Sequence, residues 1–167
     1  MTLIELLIGF VVLALLATLA IPAWGEFQER QRLKAAAETL ATSLNLARSE
    51  ALAQQQFTYL QLSGQGSDHW CYAVSLAQGC DCNSTCETVQ KVDGSVWRGV
   101  SLSSSSRKLF RFNWKNGSAT GANGTAALVG AHSGQRLCVV LSNLGRVRIT
   151  TSKQKPVPGY TQDAGCS

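Results

Sequence analysis

Four residues carry the chemistry this sequence can do: Gly145-Arg146-Val147-Arg148. Residues two apart on a strand point the same way, so Arg146 and Arg148 share one face while Val147 and Ile149 face the core. A guanidinium keeps its charge at all ordinary pH and can grip a phosphate with two parallel N–H bonds. Two of them beside a tight turn, with Lys153 and Lys155 a few residues on, make a candidate phosphate-binding site. Exposed arginines can equally serve to blunt an edge strand against aggregation.

The charge distribution favours a polyanion. Residues 1–94 hold five basic and nine acidic residues, a net of −4, whereas residues 95–167 hold ten basic residues and one acid, Asp163, a net of +9. A solubilising surface mixes signs, and this half does not. Such asymmetry between halves points to nucleic acid or another anionic surface as partner.

Catalysis has no visible machinery. His69 and His132 lack a neighbouring carboxylate and nucleophile, and the serines sit in linkers. There is no Walker loop, zinc knuckle or G-x-S-x-G turn. The expectation is no enzyme and no cofactor.

Six cysteines, Cys71, Cys80, Cys82, Cys86, Cys138 and Cys166, are an even number. Disulfides in an oxidising compartment are the favoured reading. Zinc is the other, but C-x8-C-x-C-x3-C is not the paired C-x2–4-C spacing that metal usually takes. Six cysteines allow fifteen pairings, and spacing does not choose among them. Cys138 with Cys166 is attractive, since it staples a strand to the tail and leaves four to close a local loop.

The elements that must position these groups are one long helix and a set of short strands. From Trp24 to Gln56, Leu33, Ala37, Leu40, Leu44, Ala47 and Ala51 recur at steps of three and four, an apolar stripe on one helix face. The helix is expected to end near Gln54–Gln56. Period two follows: 57–62 and 70–76 read as a hairpin, and 79–86 as a cysteine-stapled loop. Segments 88–92 and 96–102 read as strands around an Asp93-Gly94 turn, and Ser103–Ser106 as a flexible linker. In 109–114, Phe110, Phe112 and Trp114 are assigned to the core, with a stacking platform for single-stranded nucleic acid as the alternative. Residues 115–125 read as a mobile loop. Leu137–Leu141 is apolar enough to be a central strand, joined through Asn143-Leu144-Gly145 to the return strand at Arg146. The tail from Ser152 reads as irregular. The sum is an α+β fold of one helix packed on antiparallel sheets of about seven or eight strands.

Before that stripe lies a different solvent. Leu6 to Ile21 carries no charge, and with residues 2–4 the run is about as long as a membrane-spanning helix, ~20 residues at ~1.5 Å each. Glu5 interrupts it, and a carboxylate at membrane depth reads as functional with a partner. No Lys or Arg precedes the run, so a cleavable signal peptide does not fit. Pro22 then suggests a bend. Residues 1–27 are therefore assigned to a membrane-spanning or filament-core segment, and 28–167 to a globular domain.

Thr2-Leu3-Ile4-Glu5-Leu6-Leu7-Ile8, with Pro22 beyond, resembles the mature N-terminus of type IV pilins and type II secretion pseudopilins. Those proteins usually begin with an N-methylated Phe where this chain has Met1, which is either the native first residue or stands in for that Phe. The resemblance implies that a prepilin peptidase removes a short basic leader just before Met1. It implies that the new terminus is methylated, and that Glu5 pairs with the terminal amine of a neighbouring subunit. The aromatic strand, the glycine-rich loop and the hairpin ending in Gly145-Arg146-Val147-Arg148 resemble the GspH/FimT group of minor pilins and pseudopilins. In the FimT branch this motif implies DNA binding during natural transformation, carried here by Gly145, Arg146 and Arg148 with Lys153 and Lys155 in support. The implied protein sits in the inner membrane of a Gram-negative bacterium by one span, with a periplasmic domain, and then joins major and minor pilins in the pilus. It grips DNA by its phosphates without reading sequence. The alternative is a structural minor pilin or secretion pseudopilin that primes assembly, its basic face against another subunit. Attachment to anionic surface polymers is a third.

Overall fold

The computed structural model describes residues 2–67 and 69–166, apart from the side chains of residues 17 and 19–23. The expectation for Met1 lies outside the described residues, as does the Pro22 side chain. Helix α1 runs from Leu3 to Gln54 and continues through position 22. It ends where Gln55 takes a left-handed conformation, at φ 53°. The apolar stripe holds: Leu33, Ala37, Leu40, Leu44, Ala47 and Ala51 are all buried, joined by Ala36. This stripe packs against both sheets.

Among the described residues, the first turns of α1 pack on nothing. Leu3, Leu7, Phe10, Leu13 and Leu16 stand more than half exposed. Among the described residues no helix is long and apolar enough to cross a membrane. The described apolar side chains of the run end at Leu16.

Among the described residues, nine strands form two sheets. They are β1 (Thr58–Ser63), β2 (Cys71–Ser75), β3 (Gln90–Asp93), β4 (Val100–Ser105), β5 (Leu109–Phe112), β6 (Gly124–Gly130), β7 (Arg136–Leu141), β8 (Val147–Thr151) and β9 (Thr161–Gln162). The first sheet is ordered β3-β2-β1-β5 and the second β4-β6-β7-β8-β9. All pairings are antiparallel except β8 with the two-residue β9. The apolar 137–141 segment is indeed the central strand of its sheet.

Several local expectations change. Strands β3 and β4 belong to different sheets, so Asp93-Gly94 is not a hairpin turn. Asp93 instead caps a 3-10 turn, Gly94–Val96, by accepting the Ser95 amide at 2.9 Å. Gly94 lies flat under the Trp70 indole, where a Cβ would come within 2.3 Å of the ring. The glycine serves a close approach rather than a turn. Ser103–Ser105 is not a linker but the end of β4, with a register shift between Leu102 and Ser104. Phe110 and Phe112 fill the core, whereas Trp114 has left the strand and is only half-buried. The 115–125 loop is pinned: Gly117, Ser118, Ala119 and Ala122 are buried.

The six cysteines form three disulfides: Cys71–Cys82, Cys80–Cys86 and Cys138–Cys166. The first two close the local loop against β2. The third ties the tail to the centre of the second sheet, where Cys166 is buried with Cys138 and Ala127; Val157 of the tail is buried in the main core.

Candidate nucleic-acid interface

The turn between β7 and β8 is built by its glycine. Leu141 pairs with Val147 and Val140 with Arg148, and between them Gly145 donates to the Ser142 carbonyl at 3.0 Å. The Arg146 amide donates to the Ser142 hydroxyl at 3.1 Å. Gly145 has φ 75°, a conformation that only glycine adopts cheaply. A Cβ there would also sit 2.0 Å from the Gly117 carbonyl oxygen. No other residue fits, since the backbones of two loops meet at this point.

The Arg48 side chain reaches this junction from α1. Its Nη1 donates to the Gly145 carbonyl at 3.2 Å, and its Nε occupies the space a Cβ on Gly117 would need. Arg48 thus closes the gap between helix, 117 loop and hairpin. Nothing in the local sequence marks it, because its partners lie far along the chain.

Arg146 and Arg148 are exposed, while Val147 and Ile149 pack on the core, as strand alternation requires. Arg148 is not free. Its Nη2 lies 3.3 Å from Oδ2 of Asp163, with the two side chains 60% and 31% exposed. Asp163 is held by β9 and by Cys166: its amide donates to the Thr151 carbonyl at 3.0 Å, and its carboxylate accepts the Gly165 amide at 2.9 Å. A pair this exposed is worth at most about 1 kcal/mol and is exchangeable. The sequence carried a signal for this contact, since Asp163 is the one acid of the basic half and stands three residues from Cys166.

The five candidate residues do not form one cluster. Gly145, Arg146 and Arg148 stand at the turn end of β8. Lys153 and Lys155 follow its other end, and β8 itself spans roughly 17 Å. Lys155 donates to the Ser133 carbonyl at 2.9 Å and lies over Gly134; Lys153 is exposed. Arg136 stands at the same end, its carbonyl accepting the Ser152 amide at 3.4 Å.

Glu5 lies far from this surface, in the first turn of α1, where its carboxylate accepts the Thr2 amide at 3.4 Å. A carboxylate in the first turn also suits the positive end of the helix dipole. A second carboxylate, Glu29, is buried and accepts the amides of His132 at 2.9 Å and Ser133 at 3.0 Å. It ties the β6–β7 turn to the helix.

A family model described as type II transport protein GspH matches residues 36–145. The match ends at Gly145, so Arg146 and Arg148 lie just beyond it. Two crystal structures of the type IV minor pilin FimU from Pseudomonas aeruginosa share the fold. They superpose with TM-scores of 0.60 and 0.54 at 22% and 21% identity, covering 76% and 72% of this chain and 97% of each of theirs. A comparison with curated proteins finds no match.

Proposed function

This chain belongs to the GspH family of type IV minor pilins and pseudopilins, and from that premise we propose that it is a minor pilin that binds extracellular DNA for uptake in natural transformation. The family and fold are structural rather than catalytic. The observation that carries the reading is the Arg146–Arg148 pair, set on a turn that Gly145, Gly117 and Arg48 make rigid, in a half of the chain with net charge +9. Phosphate contacts dominate non-specific DNA affinity, and among the described residues no recognition helix is present to read bases. The lysines past the far end of β8 are a separate pair of cations that a long polyanion could also meet.

In this reading residues 1–27 anchor the chain in the inner membrane and later enter the filament core, and 28–167 form the periplasmic and then pilus-borne domain. The free apolar side chains on the first turns of α1 support that division. Prepilin peptidase cuts before Met1, the new terminus is methylated, and Glu5 turns from its own Thr2 amide to the amine of a neighbouring pilin.

The existing Arg148–Asp163 pair favours a second reading, in which the basic face meets an acidic partner subunit and the chain primes pilus or pseudopilus assembly. The test uses the full chain in non-ionic detergent with a labelled DNA duplex at low and physiological salt, alongside Arg146→Ala/Arg148→Ala. DNA binding predicts a micromolar or weaker affinity that falls steeply with salt and is lost in a folded double variant. A wild-type chain that ignores DNA at low salt leaves the structural role.

A further inference from the structure

Beyond the end of α1, Gln55, Gln56, Phe57, Tyr59, Leu76 and Trp114 line an open hollow of about 330 Å³. Phe57 is 38% exposed, and Tyr59 and Trp114 are half-buried. The core is filled without these rings, by Phe110 and Phe112 of the neighbouring strand. Two cations stand over them: the Arg111 guanidinium lies 5.3 Å from the Phe57 centroid and the Lys115 ammonium 5.2 Å from that of Trp114. The β1–β5 register sets Tyr59 opposite Arg111. Aromatic faces beside cations suit a ligand that carries both a flat ring and a negative charge.

The hollow is joined to the arginine turn by a short, hydrogen-bonded loop. Asn113 donates to the Ser118 carbonyl and Gly117 to that of Asn113, both at 2.8 Å, and Ala119 donates to that of Asn143 at 2.9 Å. Gly117 then lies against Gly145. Trp114 and Arg146 therefore stand on one connected framework. Glu87 lies past Leu76 in an adjoining hollow, so a phosphate backbone is steered to the Arg111 and Lys115 side.

We propose that this hollow takes an unpaired nucleobase, stacked on Trp114, Phe57 or Tyr59, and that the preferred ligand is single-stranded DNA whose phosphates run from Arg111 and Lys115 toward Arg146 and Arg148. The inference rests on the DNA reading above and narrows it. A duplex offers no free base face, and a single strand offers one at every nucleotide.

The experiment is fluorescence anisotropy of the full chain in non-ionic detergent against three labelled probes of equal length: a duplex, a thymidine strand and an abasic strand with the same phosphates. Stacking of one base predicts that the thymidine strand binds about tenfold tighter than the abasic one. Trp114→Ala and Phe57→Ala bring that ratio toward one and leave duplex affinity unchanged; Trp114→Phe keeps it. Near-ultraviolet circular dichroism confirms that the variants stay folded. Equal binding of both strands by a chain that still binds duplex overturns the stacking site and spares the phosphate reading. Equal weakening of all three probes by Trp114→Ala also overturns it, since the ring is then structural. Failure of every probe at low salt removes both readings.

Discussion

Arg48 and Gly145 are 97 residues apart and share one hydrogen bond of 3.2 Å, from the guanidinium to the turn carbonyl. Through it the helix sets the pose of the two exposed arginines. Arg48→Ala should lower stability by roughly 1.5–3 kcal/mol, the usual range for a hydrogen bond to a charged group. It should also weaken DNA binding with Arg146 and Arg148 intact. Urea unfolding and a DNA titration of the same variant check the two effects together.

If Arg148 grips DNA as proposed, Asp163 competes with phosphate for it. Asp163→Asn removes a fixed negative charge 3.3 Å from the guanidinium. Affinity for duplex DNA should rise a few-fold, and the slope of log affinity against log salt should steepen by about 0.9, the increment for one more phosphate contact. If Asp163 only clamps the tail, the variant loses stability and gains no affinity.

Tyr72 makes the fold alkali-sensitive. Its hydroxyl pairs with that of Ser43 at 3.0 Å inside the core, and burial pushes its pKa from 10.0 up to about 12, against a smaller lowering from Ser43. The neutral form is the one the folded state accepts, so stability is full below pH 10 and falls as pH rises from 10 to about 12. Tyr160 adds to the same trend, since burial and then its hydrogen bond to Glu38 raise it too. Tyr72→Phe should flatten this loss, at the expense of an unpaired Ser43 hydroxyl and about 1 kcal/mol at neutral pH. Urea midpoints at pH 8 and pH 11 measure both.

The Cys138–Cys166 bridge spans 28 residues. On chain-entropy grounds its loss costs about 3–4 kcal/mol. Cys138→Ser/Cys166→Ser should lower the melting temperature and expose the 161–166 amides to hydrogen exchange. The same variant should release Asp163 from Arg148 and mimic the tighter DNA binding of Asp163→Asn.

Features governed by local periodicity were legible in the sequence. The Leu33–Ala51 stripe, the β1–β2 hairpin and the Gly145 turn follow from spacing that one helix or one strand pair must satisfy. Contacts across the fold were not. Asp93-Gly94 carries a hairpin signal, yet the Trp70 ring above Gly94 claims the glycine for packing. Ser103–Ser105 has linker composition, but pairing with β6 makes it a strand. Of the site, Arg146 and Arg148 were visible as a motif. Arg48 and the meeting of Phe57, Tyr59 and Trp114 depend on distant segments that no window of sequence contains.

The chain visits the second sheet with β4, returns to the first with β5, and only then completes the second with β6 to β9. Neither sheet is contiguous in sequence. A nascent chain that stops at Asn113 holds all four strands of the first sheet, while β4 still lacks its partner β6. Side chains of both sheets and of α1 share one buried core, so the first sheet has no core of its own until β6 to β8 arrive, and the two layers should unfold in one transition rather than two.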